Sequence, residues 1–139
     1  MRLFKWHESN AVFVSELDDE HREIFQTVGE LERALASQAP AFQIQEVLHR
    51  LIACTEDHFT HEEKLMKGFR YELLDWHKKQ HDTVRKRMKE YTPQIEAGDA
   101  DAGSMLTEFL KGWLYDHTAV TDKMMGAFLR NQQRASHIA

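Results

Sequence analysis

An all-α fold is predicted, an up-down-up-down four-helix bundle preceded by an extended arm, and three observations predict it. Apolar residues recur at three- and four-residue spacing over four stretches of about 20 residues, the pattern of helices with one buried stripe. Strand-like alternation is absent over any useful length. The 139-residue chain has only two prolines, Pro40 and Pro93, and the breaks between periodic stretches are short, which places consecutive helices antiparallel and side by side. The whole chain, 1–139, is read as one domain, with residues 1–16 as the arm and 130–139 as a polar, loosely held tail.

In the arm, Trp6, Val12, Phe13 and Val14 lack a sustained helical period. Helix one is expected from about Asp18 to Ser37, capped by Ser15 or Asp18, with Asp18-Asp19-Glu20 at the positive end of its dipole. Its stripe is Leu17, His21, Ile24, Phe25, Val28, Leu31 and Leu35, and Ala39-Pro40 ends it. Helix two follows from about Phe42 to Met66, with Leu48, Leu51, Thr55, His58 and Glu62 facing inward. Lys67-Gly68-Phe69-Arg70 makes the break before helix three, which starts near Leu73 and carries His77, His81, Val84 and Met88. Pro93 is expected to kink or end that helix, because proline lacks the donor and clashes one turn back. Helix four runs from about Asp101 to Met124 through Leu106, Leu110, Trp113, Leu114 and His117.

Composition excludes several functions. Hydrophobic residues make up 42% and charged residues 29%, ordinary for a globular chain. A net charge of -5 argues against a nucleic-acid surface. No apolar run approaches the ~18 residues of a membrane span, and the N-terminus lacks a signal-peptide core, so the expected location is the cytoplasm. One cysteine cannot build a disulfide framework. Nine histidines, against the roughly three that average usage gives, demand an explanation.

A lone histidine on an apolar face is ordinarily a core residue. Here convergence argues otherwise, because every helix carries at least one inward histidine. His58 and Glu62 lie four apart, as do His77 and His81, and a four-residue step returns to the same helix face. His21 is early in helix one, His58 and Glu62 late in helix two, His77 and His81 early in helix three, His117 late in helix four. With alternating helix directions, all of them fall at one end of the bundle. Imidazoles and carboxylates together suit a transition metal such as Fe, Mn, Co or Zn. His7, His49, His61 and His137 are expected to stay outside the cluster, and Cys54 to act as a small hydrophobe. Asp122 lies five residues after His117, about 140° around an ideal helix. It shares the face of His117 only if the helix widens into a π-type turn near Val120-Thr121.

Taken together, these residues resemble the hemerythrin family, and most closely its single-domain bacterial members. The resemblance rests on Trp6, Asp18-Asp19-Glu20-His21, His58-Phe59-x-x-Glu62-Glu63-x-x-Met66, His77-x-x-x-His81, and Trp113-Leu114-x-x-His117-x-x-x-x-Asp122-Lys123. It spans nearly the whole chain. It implies a non-haem di-iron centre that binds O2 reversibly and is not an enzyme, and by analogy it brings Asp122 into the site. His77, His81 and His117 would then hold one iron and His21 and His58 the other. Glu62, Asp122 and an oxo or hydroxo group would bridge them. That count leaves the first iron six-coordinate and the second five-coordinate, with one position open to O2. Ile24, Phe59, Trp113 and Leu114 match the family's apolar O2 pocket. Thr118 and Met125 depart from its pattern, which favours a bulky aliphatic residue and a tyrosine there. Both bear on water exclusion.

Rival classes are weaker. Ferritin-like di-iron oxidases use paired Glu-x-x-His motifs, and the one such spacing here, Glu46-x-x-His49, points outward. A di-iron peroxidase or NO-reducing enzyme would share the metal inventory. A sensor would need a separate output partner, and delivery of O2 would need an oxygen-consuming one. The His-Glu-x-x-His of zinc hydrolases is absent.

Overall fold

The computed structural model describes the backbone of residues 4–138 and the side chains of residues 4–135. The first three residues of the arm, Ala139 and the side chain of His137 lie outside that range. Helix α1 spans Ser15–Ala36, α2 Ala41–Gly68 and α3 Leu74–Glu96. A fourth rod joins α4 (Ala100–Asp116), a π-helical turn (His117–Asp122) and α5 (Lys123–Ile138). The backbone stays right-handed through both junctions, with φ/ψ of -65/-45 at His117 and -65/-39 at Lys123. No strand occurs among the described residues. Each helix packs against its two neighbours in the order α1-α2-α3-α4, closing a four-helix bundle. The sequence-predicted fold class is the observed one.

Apolar residues fill the bundle in two separate layers. The larger contains Ile24, Phe25, Leu31, Leu48, Leu51, Phe59, Val84, Leu106, Leu110 and Leu114. The smaller, Val12, Val14, Leu17, Met66, Met125 and Leu129, plugs the end where α2 stops and α3 starts. Each fully buried Leu, Met or Phe contributes about 1.5–3 kcal/mol by leaving water. Between the layers every helix presents polar groups: His21 between Leu17 and Ile24, Glu62 between Phe59 and Met66. The same order places His81 before Val84 on α3, and His117 and Asp122 between Leu114 and Met125.

Four local expectations need correction. First, α1 starts at Ser15 behind Val14, and no side chain caps it. The carboxylate of Asp18 instead accepts the N–H groups of Val12 (2.8 Å) and Phe13 (3.1 Å), fastening the arm. The arm itself is only partly extended, since Glu8–Asn10 form a 3-10 turn. Second, α3 continues without a break through Pro93 to Glu96. The proline falls in the last turn, where few ladder bonds remain to be lost.

Third, the break at Lys67-Gly68-Phe69-Arg70 falls where expected, but Arg70 and not its glycine reverses the chain, as Gln38 does after α1. Gln38 (φ 54) and Arg70 (φ 57) take the left-handed conformation there, and Gly98 (φ 96) does so only after α3. At each end the next residue's N–H returns to a carbonyl five back: Ala39 to Ala34 (2.9 Å), Tyr71 to Met66 (2.8 Å), Asp99 to Gln94 (3.0 Å). Those bonds satisfy the helix-end carbonyls whichever residue supplies the positive φ. Fourth, the positions expected as a loose tail continue α5 to Ile138. Arg130 there donates to the Val12 carbonyl and so ties α5 to the arm.

Candidate metal centre

Seven side chains from all four rods meet in the polar layer, forming two potential ligand groups. Glu62, His77, His81, His117 and Asp122 make one, and His21, His58, Glu62 and Asp122 the other. All seven are no more than 4% exposed. Helical spacing explains most of the convergence: His58 and Glu62, like His77 and His81, sit one turn apart on one face. His117 and Asp122 do so because the backbone between them is π-helical. Widening that turn by one residue brings an i, i+5 pair onto one face, which is the condition Asp122 required.

The two carboxylates divide their oxygens between the two groups of histidines. Glu62 turns Oε1 to Nε2 of His81 (3.0 Å) and His77 (3.4 Å), and Oε2 to Nε2 of His58 (2.9 Å) and His21 (3.3 Å). Asp122 turns Oδ1 to Nε2 of His117 (2.9 Å) and His77 (3.1 Å), and Oδ2 to Nε2 of His21 (3.1 Å). Although these atoms are close, neither carboxylate forms a hydrogen bond in the cluster, and the Nε2 atoms of His21, His77, His81 and His117 are equally unpartnered. In each group the candidate ligand atoms lie within 4.8 Å of one another. Two buried carboxylates without a cation are costly. The donor set of five imidazoles and two carboxylates therefore fits two transition-metal ions.

Without metal, the two carboxylates favour protonation of His21 and His77. Burial opposes charge on His21, but Asp122 and Glu62 outweigh it and raise the imidazole to about 10. His77 is raised to about 9 by the same two carboxylates against the same penalty. Burial would push Glu62 and Asp122 up, yet the surrounding histidines hold both well below the usual carboxylate range. His117 is lowered, chiefly by burial.

A second set of groups fixes the ring orientations. Glu20 accepts from Nδ1 of His58 (2.6 Å) and of His61 (2.7 Å). Glu63 accepts from Nδ1 of His81 (2.8 Å) and is gripped by Arg85 (2.8 Å). Gln80 accepts from Nδ1 of His117 (2.8 Å) and from the Thr121 hydroxyl (2.8 Å). With Nδ1 donating outward, each Nε2 is left as the inward lone pair. Sequence reasoning did not assign Glu20, Glu63 or Gln80 this work. The signal was there: each adjoins a ligand candidate, and the 100° step to the next residue aims it at a neighbouring helix.

Among the expected pocket residues, Phe59 stacks on His81 (4.0 Å between centroids) and Trp113 stacks on His117 (4.1 Å). Ile24 and Leu114 are buried in the same apolar layer. Thr118 is buried, and its hydroxyl donates to the Leu114 carbonyl (2.7 Å) while accepting from the Asn10 amide (3.2 Å). Met125 is fully buried in the smaller layer, so neither departure opens the site. His49 pairs with Glu96 (3.0 Å) on the surface, and the Cys54 thiol, raised by burial, donates to the Leu51 carbonyl (3.5 Å). His61 stands outside the cluster on Glu20. His7 also stands outside the cluster, with its Nε2 enclosed and unpartnered.

The family model of the hemerythrin HHE cation-binding domain matches residues 12–129. This chain belongs to the hemerythrin family. A myohemerythrin of Theromyzon tessulatum is 34% identical over 119 residues, 86% of this chain and 88% of its own length. A bacteriohemerythrin of Stenotrophomonas maltophilia is 30% identical over 123 residues, 88% of this chain and 79% of its own. One from Pseudomonas aeruginosa is 31% identical over 112 residues, 81% and 72% respectively. Membership joins the hemerythrin pattern read from the sequence to a cluster able to hold metal. No described helix of this hemerythrin is long and apolar enough to cross a membrane.

Proposed function

We propose that this chain binds O2 reversibly at a non-haem di-iron centre, as an oxygen carrier, store or delivery protein and not as an enzyme. The observation that carries the reading is the division of Glu62 and Asp122 between three histidines on one side and two on the other. His77, His81 and His117 would hold one iron, His21 and His58 the second. Glu62 and Asp122 would bridge the pair with an oxo or hydroxo group. The metal pair supplies the redox chemistry of O2 binding, and the unequal count leaves one open position on the two-histidine side.

The protein's own contribution is shelter and orientation. Ile24, Phe59, Trp113 and Leu114 form the pocket and keep water from the open position. None of the four side chains has a proton to transfer at neutral pH, which favours holding O2 over oxidising something with it. Apolar layers above and below seal the polar layer. The proposed setting is cytoplasmic, with O2 as ligand and an oxygen-consuming protein as possible recipient.

The purified protein is expected to contain two irons per chain and to show visible charge-transfer bands in air. Those bands should vanish under nitrogen and return on readmitting air. Iron near zero, or bleaching that air does not reverse, would overturn the carrier reading. Steady O2 consumption with a reduced co-substrate would favour a di-iron oxidase or peroxidase instead.

A further inference from the structure

We propose that a cleft between the arm and the outer face of α1 is an oxyanion-binding site for phosphate or a phosphomonoester. Five residues of α1 line it, Arg22, Phe25, Gln26, Gly29 and Arg33. Spacings of three and four put them on one helix face. The arm crosses that face with Phe4, Lys5 and Trp6, enclosing a cavity of about 230 Å³.

The lining contains three cations and no carboxylate, in a chain whose net charge is -5. Arg33 and Lys5 have no side-chain partner among the described residues. Arg22 spends one nitrogen on Asp19 (2.8 Å), while its guanidinium lies over the Trp6 ring, 4.1 Å from the centroid. The Trp6 indole N–H is itself enclosed and does not open into the cleft, so the ring serves as the platform on which the Arg22 guanidinium rests. Gly29 makes room for the arrangement: a β-carbon there would sit 3.2 Å from Nη1 of Arg33 and 4.0 Å from the Phe4 carbonyl. The Arg33 guanidinium therefore lies beside Gly29 at the edge of the cleft, where its side chain is exposed. Two planar guanidinium groups with an ammonium suit a tetrahedral oxyanion, because arginine donates to phosphate in bidentate fashion.

The inference is independent of the O2-binding reading, and its test separates the two. Inorganic phosphate is titrated into the full-length, metal-loaded protein by calorimetry at constant ionic strength, with the visible spectrum recorded in parallel. Saturable binding with an unchanged spectrum is expected. Arg33→Ala should weaken it at least tenfold, and Arg22→Ala likewise. Trp6→Ala, which removes the ring that positions the Arg22 guanidinium, should weaken it severalfold. Glycerol phosphate binding as well as inorganic phosphate would assign the site to phosphomonoesters, and its exclusion would assign it to the free ion. No heat of binding, undiminished binding by Arg33→Ala, or a spectral change showing that phosphate goes to the metals would overturn the proposal.

Discussion

The two sides of the metal cluster are built to different specifications. On the three-histidine side, His81 and His117 are each held through Nδ1 by an acceptor that is itself held, Glu63 by Arg85 and Gln80 by Thr121. Both rings are also stacked, on Phe59 and Trp113. On the two-histidine side only His58 has such an anchor, in Glu20, and Nδ1 of His21 is unpartnered. His77 on the first side is as unanchored at Nδ1 as His21 on the second, so the sides differ in ring stacking and in the number of histidines. On the proposed reading the side with three histidines would hold a saturated metal and the side with two would keep a position for a ligand.

The sharpest way to break the comparison is to remove a carboxylate that serves both sides. Glu62→Ala should lose at least one of the two irons per chain and abolish the charge-transfer bands, as measured by metal analysis and absorption. His77→Ala, from the saturated side, should likewise lose at least one iron. Full iron content in either variant would show that the two sides do not share Glu62 or depend on His77.

Removing an anchor should do less and should distinguish the sides. Glu63→Ala is expected to weaken metal retention by about 10–100-fold, the usual effect of removing the group that orients a histidine ligand. A competition assay with a chelator measures it. Glu20→Ala should act on the other side and lower retention of the second iron preferentially.

A pH series on the metal-free protein comes next in size. His21 and His77 have folded-state values of about 10 and about 9, above the ordinary 6.5. A raised value stabilises the fold fully below pH 6.5, and that stability is lost as pH rises through 9 to 10. Melting temperatures of the metal-free protein should therefore fall over that window. The loaded protein should show a flatter profile, because ligation already removes those protons. A melting temperature that rises between pH 7 and 10 without metal would contradict the burial of the carboxylates against these imidazoles. Smallest of all, His49→Ala should leave the spectrum unchanged and stability within roughly 0.5 kcal/mol, as for a surface pair.

The fold class was legible because its signal is repeated along the chain: four long apolar stripes, with breaks too short for anything but antiparallel packing. The site was nearly as legible, since a four-residue step is both a helix turn and a ligand spacing. Asp122 marks where periodicity alone stopped. A regular helix turns it away from His117, and only a one-residue widening, which leaves no mark in the composition, brings it back. The breaks after helices one and two were legible, but that Gln38 and Arg70 take the left-handed conformation in them was not, for a related reason. Five-residue backbone bonds carry those positions whatever the side chain, so no glycine advertises them. The unbroken α3 through Pro93 shows that a breaker's effect depends on how much helix remains beyond it. Asp18, read as a cap, faces the arm instead, where its carboxylate accepts the N–H groups of Val12 and Phe13.

The most direct measurement is Mössbauer spectroscopy of the reduced, ⁵⁷Fe-loaded protein under nitrogen. Two irons per chain are expected, both ferrous under nitrogen and both ferric once O2 is admitted, since each would give one electron to the bound O2, with the two sites unequal in the oxygenated form. A single iron, or two sites that remain equivalent with O2 bound, would contradict a pair of carboxylates dividing three histidines from two.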